Sequence, residues 1–179
     1  MDEGIELPEV HHGGEEGLLV LPVSITISIM AVLVASVALL GHRTHTEELL
    51  RQSQASDRWA QYQAKNVRLH ETQGFSDVLN IVASLDRERG AALREKYVEE
   101  VEHYQRDKED ISKEAKDLEA ERDLAGRKAD RFDGGEAFLE IGLVICSITL
   151  LTKRKLFWIG GMFVGALGVA LALTGFLLH

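Results

Sequence analysis

A single cysteine, Cys146, excludes an internal disulfide framework and a multi-cysteine zinc site. Two prolines in 179 residues argue against a β-rich or loop-rich design. Residues 1–17 hold six acids and no Lys or Arg, so the basic leader of a cleaved signal peptide is missing. Residues 18–41 and 156–178 contain no charge of either sign. A soluble globule would intermix its apolar and charged residues; here they are segregated along the chain. Two such uncharged blocks also exclude a fully disordered polypeptide. No phosphate-cradling glycine loop, Ser-His-Asp set or paired-carboxylate arrangement emerges from the spacing, so we assign no catalytic residue, no cofactor and no metal.

What is present begins with lipid-sized apolar runs. Residues 18–41 give 24 uncharged positions. At roughly 1.5 Å rise per residue such a helix crosses a hydrocarbon core of about 30 Å. Pro22 is expected in its first turn, where the missing N–H does little harm. Residues 156–178 form a second run, with Phe157 and Trp158 at its start, as headgroup-level aromatics would be. A weaker run at 137–151 includes Glu140 and extends to 136–152 at the interfaces. Lys153, Arg154 and Lys155 separate it from the last run, which reads as a transmembrane hairpin. We therefore expect three spans, an acidic tail over 1–17, a charged region over 42–135 and a basic turn over 153–155. Cations near the membrane number eight on the side of the central region and three on the side of the turn, favouring a cytoplasmic centre.

The charged centre carries a heptad-like seam. Steps of four and three visit Tyr97, Val101, Tyr104, Lys108, Ile111, Ala115, Leu118, Arg122, Ala125, Ala129 and Phe132. This 3.5-residue repeat lays a narrow apolar stripe along one helix. Lys108 and Arg122 interrupt it, either snorkelling outward or fixing register. Residues 44–72 read as a second, amide-rich helix with a weaker stripe of Ala55, Trp59, Tyr62, Asn66 and Leu69. Gly74 is expected to end it, Ser76 to cap a short helix over 75–85, and the long helix to restart near Asp86. Asp133-Gly134-Gly135 could kink the chain before the second span. The economical fold is all-α: three transmembrane helices and a long extramembrane antiparallel hairpin, a coiled-coil stalk of about 45–65 Å. A two-helix stalk has little interior, which predicts oligomerisation.

Small residues form a further stripe inside the spans. Ser24, Ser28, Ala31, Ala35 and Ala38 recur in the first; Gly161, Gly165, Gly168, Ala172 and Gly175 recur in the last. Small side chains let helices approach closely in lipid, so these are packing positions within or between subunits. Alternatively, the Ser24/Ser28 face lines a pore. Glu140 is the one acidic or basic group inside the apolar blocks, about one turn from the start of its span, and carries either an interfacial or interhelical hydrogen-bonding role or an ion or proton role. His42 and His45 share a helix face and could ligate a metal, as could His11 and His12 with Glu9 and Glu15. Interfacial polar residues and a solvated tail are the plainer readings. Trp59 and Tyr62 either pack against the returning helix or form a recognition patch. Cys146 reads as a small apolar filler. With 21 acids and 17 bases in the centre, nucleic acid is not an expected partner. The expected partners are the lipid bilayer, further copies of the chain and another membrane complex. Function divides between a self-associating scaffold or adaptor and a homo-oligomeric channel or transporter.

The stretch Ala55-Ser56-Asp57-Arg58-Trp59-Ala60-Gln61-Tyr62-Gln63-Ala64-Lys65, following Gly41-His42, resembles bacterial membrane proteins of domain-of-unknown-function family 4337. So does Leu151-Thr152-Lys153-Arg154-Lys155 with the aromatic pair after it. The resemblance implies a first span, a charged helical middle and a final hairpin over nearly the whole chain. Glu140 departs from it, standing where an uncharged amide is expected. It implies no chemistry.

Overall fold

The computed structural model describes residues 16–82 and 87–178, with side chains over 19–81 and 90–178. The acidic tail up to residue 15, with its His11–His12 pair, and residues 83–86, at the end of the 75–85 segment expected near the hairpin tip, lie outside the described residues. The described residues form three helices and no strand: α1 (Glu16–Val82), α2 (Arg87–Thr152) and α3 (Lys155–Phe176). Each contains a segment long and apolar enough to cross a membrane.

Three local expectations are corrected. Pro22 lies inside α1, six residues from its start, rather than in the first turn. Its ring removes one ladder hydrogen bond. Gly74 does not end α1, and Ser76 caps nothing, because the helix continues to Val82. Glycine in a helix interior costs only about 1 kcal/mol, which a long helix tolerates. α2 runs through Gly134 and Gly135 as continuous helix. A Cβ at Gly135 would stand 2.8 Å from the Gly168 carbonyl oxygen, so this glycine is there for close approach of α3.

The chain divides into two compact units. One comprises the described residues up to Arg43 and those from Arg127 onward; the other is Thr44–Gly126. The first unit packs parts of all three helices around Val37, Phe132, Leu139 and Ala172, with Leu33, Val34, Leu40 and Val169 against them. Its outer surface is apolar: Leu21, Ile29, Val32, Val144, Ile159 and Phe163 are all exposed. Its interior includes glycine, alanine and cysteine. An apolar exterior around an apolar interior is not the ordinary arrangement for a protein in water.

In the second unit the chain's own two helices meet through Ala55 and Leu69 on α1 and Ala115 and Ala125 on α2, all buried. Polar groups carry many of the remaining contacts.

Candidate functional site

Within Thr44–Gly126 the cross-helix contacts form a ladder. Arg122 Nη1 donates to Gln52 Oε1 at 2.7 Å, and Trp59 Nε1 donates to Glu119 Oε1 at 2.9 Å. Arg51 pairs with Glu121 at 3.1 Å and Arg58 with Glu114 at 3.0 Å. Further along, Lys108 Nζ donates to Asn66 Oδ1 at 2.9 Å and Lys65 Nζ donates to Asp107 Oδ2. Phe75 and Tyr97 stack with ring centroids 6.5 Å apart. Partners descend along α2 as they ascend along α1.

The middle of this ladder is a polar layer. Lys65 lies over the Tyr104 ring at 5.2 Å and Lys108 over the Tyr62 ring at 5.3 Å. Each ammonium thus has an acceptor and an aromatic face, and each tyrosine offers its ring to the opposite helix. Lys108 and Arg122, the two breaks in the seam, both make cross-helix hydrogen bonds. Lys65 holds the Asp107 carboxyl below the usual carboxylate range, first by its hydrogen bond and then by its charge, against desolvation; His103 and Arg106 add to the lowering. The ion pairs are partly exposed to water, so each adds little to stability. Their value is in which residue faces which.

The remaining sequence-selected residues of this unit are placed as follows. Trp59, Tyr62, Tyr97, Val101, Tyr104, Ile111 and Leu118 are all half-buried. Trp59 and Tyr62 also meet edge to face at 5.4 Å. Lys65, Asp107 and the Arg51, Arg58 and Glu114 pairs were not singled out by the stripes, because charged residues beside a seam look like ordinary solvated positions. Their opposite signs on the two helices are the one signal that could have found them. Leu49, Leu50, Val67, Val78 and Ile81 are exposed on the same unit.

In the first unit the buried residues of α3 are Gly161, Gly165, Gly168, Ala172 and Gly175. Opposite them the face of α1 that packs is Val23, Met30, Val37 and Gly41. Ser28, Ala31 and Ala35 are exposed and Ser24 is half-buried, so within this chain the small-residue stripe of α1 is not the packing face. Met30 explains the choice: its Cε occupies the space that a Cβ at Gly142 or Gly165 would need, 2.8 and 2.5 Å away respectively. Cys146 Sγ is 3.9 Å from Met30 Sδ and donates toward the Trp158 carbonyl at 3.8 Å. Trp158 Nε1 donates to Thr26 Oγ1 at 3.2 Å, tying α3 to α1. Phe132 is buried and meets Phe176 edge to face at 5.3 Å. Glu140 is exposed on α2, one turn beyond the half-buried Glu136. His42 is exposed, and in the other unit His45 Nδ1 lies 3.3 Å from Glu48. Among the described residues no three His, Cys, Asp or Glu side chains converge to hold a metal.

These features define an all-helical protein with three long apolar helices. Residues 21–178 match the family described as Domain of unknown function (DUF4337), and the chain belongs to it. No curated protein and no solved structure matches the chain.

Proposed function

We propose that the chain is a non-enzymatic, three-span protein of a bacterial inner membrane whose antiparallel coiled-coil hairpin serves as a self-associating scaffold or adaptor. The central region is cytoplasmic in this reading, as the distribution of membrane-proximal cations favours. The opposite order of partners along α1 and α2 supports the hairpin. The outward apolar surface of the first unit supports its place in lipid, where no water-driven burial is available.

The observation that carries the adaptor role is in Thr44–Gly126. This unit is rich in charge, yet Leu49, Leu50, Val67, Val78 and Ile81 stay exposed on α1. By helical period Leu49, Val67, Val78 and Ile81 fall on one side of α1, an apolar face that supports contact with another protein. Mass measurement of the full chain in detergent tests it: an oligomer is expected, with Val78→Glu and Ile81→Glu shifting it toward monomer. A monomer that captures no membrane complex would refute the reading. Labelling of Glu3→Cys and Asp110→Cys in intact cells checks orientation; only the former should react from outside.

A second reading, a homo-oligomeric channel or transporter, draws on the exposure of Glu140 and Ser28 amid apolar neighbours. Reconstituted vesicles would then show ion flux that Glu140→Ala or Ser28→Leu alters. Absent flux removes this reading.

A further inference from the structure

In the first unit, hydroxyls within the apolar helices are turned back on their own backbone. Thr26, Ser28, Ser36, Ser147, Thr152 and Thr174 each donate to a carbonyl three or four residues earlier, at 2.6–3.0 Å. Thr149 does not. It is 2% exposed, and its Oγ1 is buried with no hydrogen-bond partner among the described residues. A buried, unpaired hydroxyl is costly, so its retention asks for a partner. Thr149 lines a partly open crevice with Leu19, Val20, Val23, Leu150 and Lys153. The crevice has a volume of about 10 Å³, room for about one oxygen-sized atom.

One turn further on, the chain reverses. Lys153 adopts a left-handed φ of 55°, and its N–H donates to the Thr149 carbonyl at 2.7 Å, closing α2 with a left-handed cap. Arg154 and Lys155 follow, both exposed. Arg154 is the N-cap of α3, which has no side-chain cap and no acid in its first turn. The positive end of the α3 dipole and three cationic residues therefore share one turn. Leu151 and Leu156, 86% and 76% exposed, flank it with apolar surface.

We propose that this corner binds an anionic glycerophospholipid: the phosphate on the basic turn, an ester carbonyl accepting from Thr149, and acyl chain along Leu19, Val20 and Leu150. The inference rests on the membrane reading above. Four residues of helix separate Thr149 from Lys153, a rise of about 6 Å. A phospholipid places its ester carbonyls below its phosphate by a similar step. A free phosphate ion would satisfy the turn but has nothing to offer a buried hydroxyl among leucines and valines. Cationic side chains at a membrane surface select anionic headgroups, and the ester is common to all glycerophospholipids, so the two halves of the site are separable by chemistry.

The test titrates the full chain in neutral detergent with phosphatidylglycerol, phosphatidylcholine and a diether phosphatidylglycerol, counting bound lipids by native mass spectrometry. Wild type is expected to prefer phosphatidylglycerol over phosphatidylcholine by about tenfold. Arg154→Gln with Lys155→Gln abolishes that preference. Thr149→Val weakens both diester lipids by about three- to tenfold, leaves the preference intact and does not change diether binding; Thr149→Ser restores wild-type binding. Circular dichroism confirms helicity of each variant. Equal binding of the two headgroups by wild type overturns the proposal. So does displacement of the lipid by inorganic phosphate, or a Thr149→Val chain that binds diester lipid as wild type does, which would leave the hydroxyl to a water. Protein that resists alkaline extraction from vesicles yet shows no headgroup preference refutes this inference alone. Protein released by alkali refutes the membrane reading and this one with it.

Discussion

The Asp107 carboxyl lies where a two-helix contact is most exposed to pH. Lys65 donates to it from α1, and its pKa falls below the ordinary 3.8, with the hydrogen bond as the first cause. A carboxylate whose folded pKa is depressed binds fewer protons folded than unfolded. It therefore stabilises the fold above its unfolded pKa, and that contribution is lost as pH drops through the folded value. Wild type should be more stable than Asp107→Asn at pH 7. The difference should hold down to about pH 3.8 and shrink below it. Chemical denaturation of both proteins, followed by circular dichroism from pH 7 to pH 2.5, measures the gap. A gap that is constant across that range would mean the Lys65 contact does not depend on charge. The neighbouring Lys108–Asn66 bond has no carboxylate and should show no such acid dependence.

At the scale of elements, glycine does two different things. Gly74 and Gly160 have nothing within 4 Å of where a Cβ would be. Both are helical, so Gly74→Ala and Gly160→Ala should each stabilise by about 0.5–1 kcal/mol through helix propensity. A Cβ at Gly161 would come 2.7 Å from the Gly142 carbonyl oxygen and 2.5 Å from Cys146 Sγ. Backbone cannot yield as a side chain end can, so Gly161→Ala should cost about 1–3 kcal/mol. Thermal melts in one detergent compare all three; a neutral Gly161→Ala would deny the close approach of α2 and α3. The spacing of residues made part of this legible. Helical class, three long apolar segments and the stripe Ala55, Trp59, Tyr62, Asn66 and Leu69 follow from period and hydropathy alone, since α1 of the second unit contrasts apolar with polar. The choice of face in the apolar part of α1 does not. There nearly every side chain is apolar, so no contrast marks Val23, Met30 and Val37 over Ser28, Ala31 and Ala35. Size decides it instead: Met30 is long enough to fill the hollow at Gly142 and Gly165, a fit that needs both helices to be visible. The continuity of α1 through Gly74 was hidden for a related reason. Glycine reads as punctuation in a sequence, while in a long helix its cost is small against the turns on either side.

For the whole molecule, one helix supplies the surface of both units. Val32 and Val67 both belong to α1, are the same residue type and are 66% and 56% exposed. Exposure alone would treat them alike. The solvent each meets would not, if the first unit sits in hydrocarbon and the second in water. An arginine at the centre of a lipid-embedded helix costs about 2.5–3.5 kcal/mol on insertion scales. An arginine on a water-facing helix usually changes stability by no more than about 0.5 kcal/mol. Val32→Arg should therefore reduce the fraction of chain that enters vesicles and resists alkaline extraction, severalfold or more. Val67→Arg should leave that fraction unchanged. The pair controls for helix propensity and the charge added, because both variants make the same substitution in the same helix. If Val32→Arg inserts as well as Val67→Arg does, the apolar exterior of the first unit is not facing acyl chains. A protein partner would then have to cover it, and the small-residue face of Ser28, Ala31 and Ala35 would be the first place to look for one.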